Sequence, residues 1–273
     1  MTNPDAIYML HRGNAPLLLS LPHVGHDIPA DLHRVFVERA LASEDTDWHL
    51  DRLYNFAAEL GASVIRPRMS RYVIDLNRPP DDTPLYPGTT NTELCPTRFF
   101  TGDPLYREGH EPDEDEVDRR RQLYWQPYHD ALQAELERLR ERFGHVVLFE
   151  GHSIQSKLPW LFEGRLPDLN LGTADGESCA PSLRAMMQRV LKAQSRYTHV
   201  TDGRFKGGYI TRRYGQPFHH VHAVQLEKCQ HLYMDERRGR GAQFTYDSVA
   251  AGRLEPLLRQ LLNNALAWRP DNG

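Results

Sequence analysis

The 273-residue sequence predicts an α/β fold built on a mainly parallel sheet. Short apolar runs are nearly continuous rather than alternating, the pattern of strands covered on both faces. Segments of helical periodicity separate these runs, the order expected of βαβ units. No stretch reads as a linker, so residues 1–273 are expected to form one domain, within the ordinary size range of globular units.

In chain order, the first predicted strand is Ala15 to Leu21 (APLLLSL). Asp47 to Leu60 follows as a helix, with Leu50, Leu53, Tyr54, Ala57 and Leu60 on one face. Ala62 to Ile65 and Tyr72 to Leu76 (YVIDL) read as the next two strands. Pro79 to Pro112 is rich in Pro, Gly and Thr and lacks an evident element; a segment of that length in a compact domain is expected to be a lid or substrate loop. EPDEDEVDRRRQ (Glu111 to Gln122) places acids before arginines, as suits the start of a helix and its dipole. Glu116 to Phe143 then forms a long helix, interrupted at Pro127. Val146 to Phe149 and Val221 to Leu226 are the last strands, and Pro181 to Ala193 and Val249 to Trp268 the last helices.

Composition narrows the function. Lys and Arg number 33 against 37 Asp and Glu, a net charge of −4, which argues against a nucleic-acid partner. The three cysteines, Cys95, Cys179 and Cys229, are far apart and offer neither a disulfide framework nor a thiolate zinc site. The N-terminal region has no signal-peptide pattern, and its apolar run is too short to span a bilayer. A cytoplasmic protein without a membrane partner, a monomer or small homo-oligomer, is expected.

Ligands in open α/β sheets bind beyond the carboxyl ends of the strands. Four predicted strands are followed there by chemically useful groups: Pro22-His23-Val24-Gly25-His26, Asn77-Arg78, Glu150-Gly151-His152-Ser153, and Glu227. His23 and His152, each near a small glycine, are candidate imidazole ligands to one divalent metal, zinc foremost. The third ligand is open among His26, Asp45 and Asp47; a carboxylate just before a helix could instead be an N-cap. Glu227 ends an otherwise apolar strand, where a carboxylate is costly unless paired or functional. It is the candidate general base. Arg78 beside Asn77 offers a donor fork for a substrate carboxylate. Arg212 and Arg213, with Tyr209 or Tyr214, could supply a second contact after the Gly207-Gly208 turn. The sequence has no G-x-S-x-G elbow, no phosphate-cradling glycine loop and no H-E-x-x-H pair, which disfavours serine hydrolases, nucleotide binding and helix-borne zinc proteases.

SLPHVGHDIP, DTDWHLDRLY, RYVIDLNRPPDD, LFEGHSI, GGYITRRYG and AVQLEKCQHLYMDE occur in this order between about Pro16 and Glu236. Together they resemble the N-formylglutamate amidohydrolase (N-formylglutamate deformylase) family, related to the zinc carboxypeptidase and aspartoacylase superfamily. The resemblance implies a phosphorylase/hydrolase-like three-layer α/β/α sandwich. It implies cleavage of N-formyl-L-glutamate to L-glutamate and formate, the last step of one route of histidine degradation. By the superfamily pattern, His23 and His152 would be metal ligands, Glu227 the base, and Asn77 with Arg78 the carboxylate contact. His26 stands where the superfamily carries a glutamate ligand. The family's second motif makes Asp47 the preferred third ligand, with Asp45 and His26 the alternatives. Two competing readings are a related zinc amidohydrolase acting on another N-acyl amino acid or a cell-wall amide, and a non-catalytic carboxylate-binding protein.

Overall fold

The computed structural model describes residues 7–85, 88, 91–237 and 244–270. Its seven-stranded sheet comprises β1 (Tyr8–His11), β2 (Leu17–Ser20), β3 (Ser63–Pro67), β4 (Val146–Ile154), β5 (Leu169–Gly172), β6 (His199–Thr201) and β7 (Val221–Cys229). Their spatial order is β1-β3-β2-β4-β7-β5-β6. The central run β3-β2-β4-β7 is parallel, β1 and β5 pair antiparallel to β3 and β7, and β6 is parallel to β5. The chain leaves β2 toward β3 and returns across it to β4, so a topological switch lies between β2 and β4. Such a crevice at the carboxyl ends is where α/β sheets bind ligands.

The helices are α1 (Leu50–Leu53), α2 (Glu114–Arg120), α3 (Gln126–Phe143), α4 (Pro181–Lys192), α5 (Tyr209–Tyr214) and α6 (Ser248–Ala267). Alternate residues of the central strands serve opposite layers. Leu17, Leu19, Val147, Phe149, Val224 and Leu226 pack with Leu183 and Met187 of α4 and with Leu254, Leu258 and Leu261 of α6. Leu18, Leu148 and Ala223 pack instead with Leu132, Leu136 and Leu139 of α3. The result is the α/β/α sandwich with a mainly parallel mixed sheet that the sequence predicts. Among the described residues, no helix is long and apolar enough to cross a membrane. Leu148 is fully buried at the centre of the second layer. Leu148→Ala is expected to cost about 2–5 kcal/mol, read as a lower urea midpoint at unchanged slope.

Several elements differ from the sequence expectation. Tyr72 to Leu76 is a buried series of turns, not a strand: Val73 N bonds Ser70 O, and Arg78 N bonds Asp75 O. Its apolar side chains pack into two separate clusters, which explains the strand-like composition without a ladder. Asp47 to Leu60 is not one helix. His49 takes a left-handed conformation (φ 63°), α1 starts only at Leu50, and a short 3₁₀ turn covers Asn55–Ala57. β4 and β7 each extend to nine residues, so His152 and Glu227 lie within strands rather than beyond them. Polar chemistry at the strand ends had masked the continued pairing. The short strands β1, β5 and β6 had no distinctive apolar run. At α2, Asp113 caps the helix by accepting from Glu116 N at 2.9 Å, as the acidic start suggests.

Candidate active site

The carboxyl ends of β2, β4 and β7 open into a cleft lined by His23, Asp47, Arg71, Asn77, His152 and Glu227, among others. His23 sits just beyond β2 on a turn whose Gly25 leaves no room for a Cβ, which would fall 2.2 Å from Met69 O. The backbone N–H of Asp47 donates to His23 O at 2.9 Å, joining the two loops. His152 and Glu227 are register partners across β4 and β7 and therefore emerge on the same side of the sheet.

His23, Asp47 and His152 are buried, and one potential ligand atom from each lies within 4.8 Å of the others. Asp47 Oδ2 is 3.8 Å from His23 Nδ1 and 3.3 Å from His152 Nδ1. Each imidazole is held from behind by a carboxylate. Asp75 Oδ1 is 2.7 Å from His23 Nε2, and Glu150 Oε1 is 2.9 Å from His152 Nε2. Carboxylates in that position fix ring orientation and tautomer in metal sites. Asp75 also accepts from Arg71 Nη2 at 2.6 Å and from Asn77 N at 2.8 Å, while Glu150 Oε2 accepts from Thr211. Burial opposes the charge on Asp75, but His23, Arg71 and Arg78 hold its carboxyl well below the usual range. Burial likewise disfavours a charged His152, but Glu150 and Asp47 overcome it and raise the ring to about 10. His23 is lowered by its burial and by Arg71.

The alternative ligands are engaged elsewhere. Asp45 Oδ2 accepts from Tyr72 Oη at 2.8 Å and Phe100 N at 2.9 Å. His26 is exposed, 4.0 Å from Asp27. Nor is Asp47 a helix cap: its Oδ2 accepts from Ser153 N at 3.2 Å, and its Oδ1 is buried with no partner among the described residues. A second buried oxygen without a partner there is Glu227 Oε1. A carboxylate with an orphaned oxygen, Asp47, beside two oriented imidazoles is the donor set a divalent cation would satisfy, and Glu227 lines the same cleft outside that group. Burial raises Glu227 above the usual carboxylate range, with Asp47 adding to it and His152 opposing. Its neighbour Lys228 does not pair with it: the ammonium donates to His152 O at 2.7 Å.

Asn77 and Arg78 line the same cleft. Asn77 Nδ2 is 3.1 Å from His152 Nε2, and its Oδ1 accepts from Ile210 N at 2.8 Å. Gly208 is required beside it, because a Cβ there would lie 2.2 Å from that amide. Arg78 donates from Nε and Nη2 to Thr92 and from Nη1 to Asn77 O, leaving donors of its fork uncommitted. Leu85, Asn91, Thr92 and Phe100 bring part of the Pro79 to Pro112 segment onto the cleft wall; residues 86, 87, 89 and 90 of it lie outside the described residues. Tyr209, Arg212 and Arg213, expected as substrate contacts, do not line the cleft among the described residues. Arg212 folds back onto Gly207 O at 2.9 Å, and Arg213 borders a separate hollow against α3. Tyr209 turns to Trp125 and His129. The cleft instead takes Arg71 and Arg204, neither of which the sequence reading identified. Arg71 precedes a run misread as a strand, and Arg204 lies on a loop without a motif.

Replacing Asp75 by Asn removes the charge behind His23. It is expected to weaken divalent-metal binding about 10–100-fold in a competition titration with a chromophoric chelator.

Comparison with known proteins places these residues in context. The family model for N-formylglutamate amidohydrolase matches residues 15–234. N-formylglutamate deformylase of Pseudomonas putida is 48% identical over 264 residues, covering 97% of each chain. That of Pseudomonas aeruginosa is 50% identical over the same coverage. A crystal structure of N-formylglutamate amidohydrolase from Ralstonia eutropha JMP134 superposes with a TM-score of 0.77 at 26% identity, covering 96% of each chain. A gene product of Agrobacterium tumefaciens shares the fold, with a TM-score of 0.72 at 18% identity, over 97% of this chain and 96% of its own.

Proposed function

Because the chain belongs to the N-formylglutamate amidohydrolase family, we propose that it hydrolyses N-formyl-L-glutamate to L-glutamate and formate. The observation that carries the reading is the buried His23–Asp47–His152 group, each imidazole backed by a carboxylate, with the orphaned Glu227 oxygen on the same cleft. In this reading those three side chains hold one divalent ion, zinc by the chemistry of the donors. Such an ion, when bound, would polarise the formyl oxygen and make a water acidic enough to attack near neutral pH.

The protein's own groups do the rest. Glu227 takes the proton of the attacking water as its oxygen adds to the formyl carbon. Its raised pKa suits it to hold that proton and then deliver it to the glutamate nitrogen as the C–N bond breaks. Arg71 lies on the cleft wall, held by Asp75 and over the Phe100 ring at 4.6 Å, and offers positive charge to the developing oxyanion. Arg78, steadied by Thr92, presents its remaining donors to a substrate carboxylate. Arg204 lines the same cleft and is the candidate contact for a second carboxylate. Asn77 ties the turn to α5 by accepting from Ile210 N.

The test is carboxylate release from three substrates side by side: formate from N-formyl-L-glutamate and N-formyl-L-glutamine, and acetate from N-acetyl-L-glutamate. Turnover of the first should exceed that of the other two by at least tenfold. Faster release of acetate than formate would favour a different acyl substrate.

A further inference from the structure

The turn that carries Asn77 and Arg78 is hydrogen-bonded to a distorted stretch of helix outside the cleft. Between α2 and α3, residues Arg121–Trp125 form a π-helical turn, closed by Gln126 N donating to Arg121 O. Pro127 explains its position. Proline has no N–H for the carbonyl four residues back, and its ring crowds that carbonyl; a widened turn relieves both. The extra residue also rotates the next turn by about 100° relative to a regular helix. Trp125 and His129, four apart, then share one face and stack at 3.7 Å.

Both rings use a ring N–H on the backbone flanking Asn77. Trp125 Nε1 donates to Arg78 O at 3.1 Å, and His129 Nε2 donates to Leu76 O at 2.9 Å. Tyr214 Oη, 2.9 Å from His129 Nδ1, donates to it and so fixes that tautomer. Trp125 and His129 are only 5% and 2% exposed, so these bonds are sheltered from water. Residues 76–78 lie on turns without a strand ladder to position them. Nothing in the reaction itself needs a buried tryptophan and histidine on this helix.

We infer that Trp125 and His129 are positioning residues for substrate binding: the π-turn clamps the carbonyls on either side of Asn77 and so sets the aim of Arg78. This rests on the reading of Arg78 as a carboxylate contact. Trp125→Phe keeps an aromatic ring and removes the donor. It should raise KM for N-formyl-L-glutamate about fivefold, the worth of one neutral hydrogen bond, with kcat and bound metal within twofold of wild type. His129→Leu should do the same, whereas His129→Gln, which retains an amide donor, should restore KM. In an Arg78→Ala background, Trp125→Phe should add nothing further. Unchanged KM in Trp125→Phe and His129→Leu would overturn the clamp, as would effects that multiply with Arg78→Ala. If Arg78→Ala alone leaves KM unchanged, the carboxylate-contact reading fails and takes the clamp with it.

Discussion

Glu227→Gln is expected to retain metal and fold while losing about a hundredfold to ten-thousandfold in kcat, the usual contribution of a positioned general base. Gln is nearly isosteric and cannot accept the water proton. The carboxylate is buried, its Oε1 has no partner among the described residues, and Lys228 is turned away to His152 O. No ion pair involving Glu227 is found among the described residues, so its removal breaks none that the structure describes. The pH dependence follows with a definite sign. Burial raises the Glu227 pKa, and the base works only when ionised. Wild-type kcat/KM should therefore climb with pH along an acid limb lying above the range of an ordinary carboxylate, and the residual activity of the Gln variant should lack that limb. Near-normal turnover in Glu227→Gln would remove the base assignment.

Asp47→Asn is expected to weaken metal binding more than a hundredfold, beyond the effect of losing an outer carboxylate, and to abolish formate release at ordinary metal concentrations. Asn keeps an oxygen to accept from Ser153 N, so the loop should hold its place. What it loses is the negative charge facing His23 and His152 at 3.8 and 3.3 Å. Circular dichroism should match wild type, and isothermal titration with Zn²⁺ should show the lost affinity. Wild-type affinity in this variant would return the third-ligand question to the other candidates.

Most of the sandwich was legible in the sequence because its central strands are buried on both faces, and continuous runs such as APLLLSL report that directly. The edges were not legible. β1 alternates between half-buried and exposed positions, and β6 has three residues, too few for a periodic signal. The sequence misled at YVIDL, where apolar side chains serve core packing while Asp75 organises turns around His23, Arg71 and Asn77. Strand-end polarity brought His23, His152 and Glu227 forward, and family likeness favoured Asp47. The basic residues were harder. Arg212 and Arg213 looked suitable beside two glycines, but α5 directs Arg212 to Gly207 O. Arg71 and Arg204 reach the cleft through loop geometry, which no local spacing encodes.

The most direct test is to strip the purified protein with a chelator and restore it stepwise with Zn²⁺, reading bound metal and formate release from N-formyl-L-glutamate in the same samples. Release should vanish with the metal and return in proportion to it, saturating near one ion per chain. Full release from metal-free protein would contradict the account.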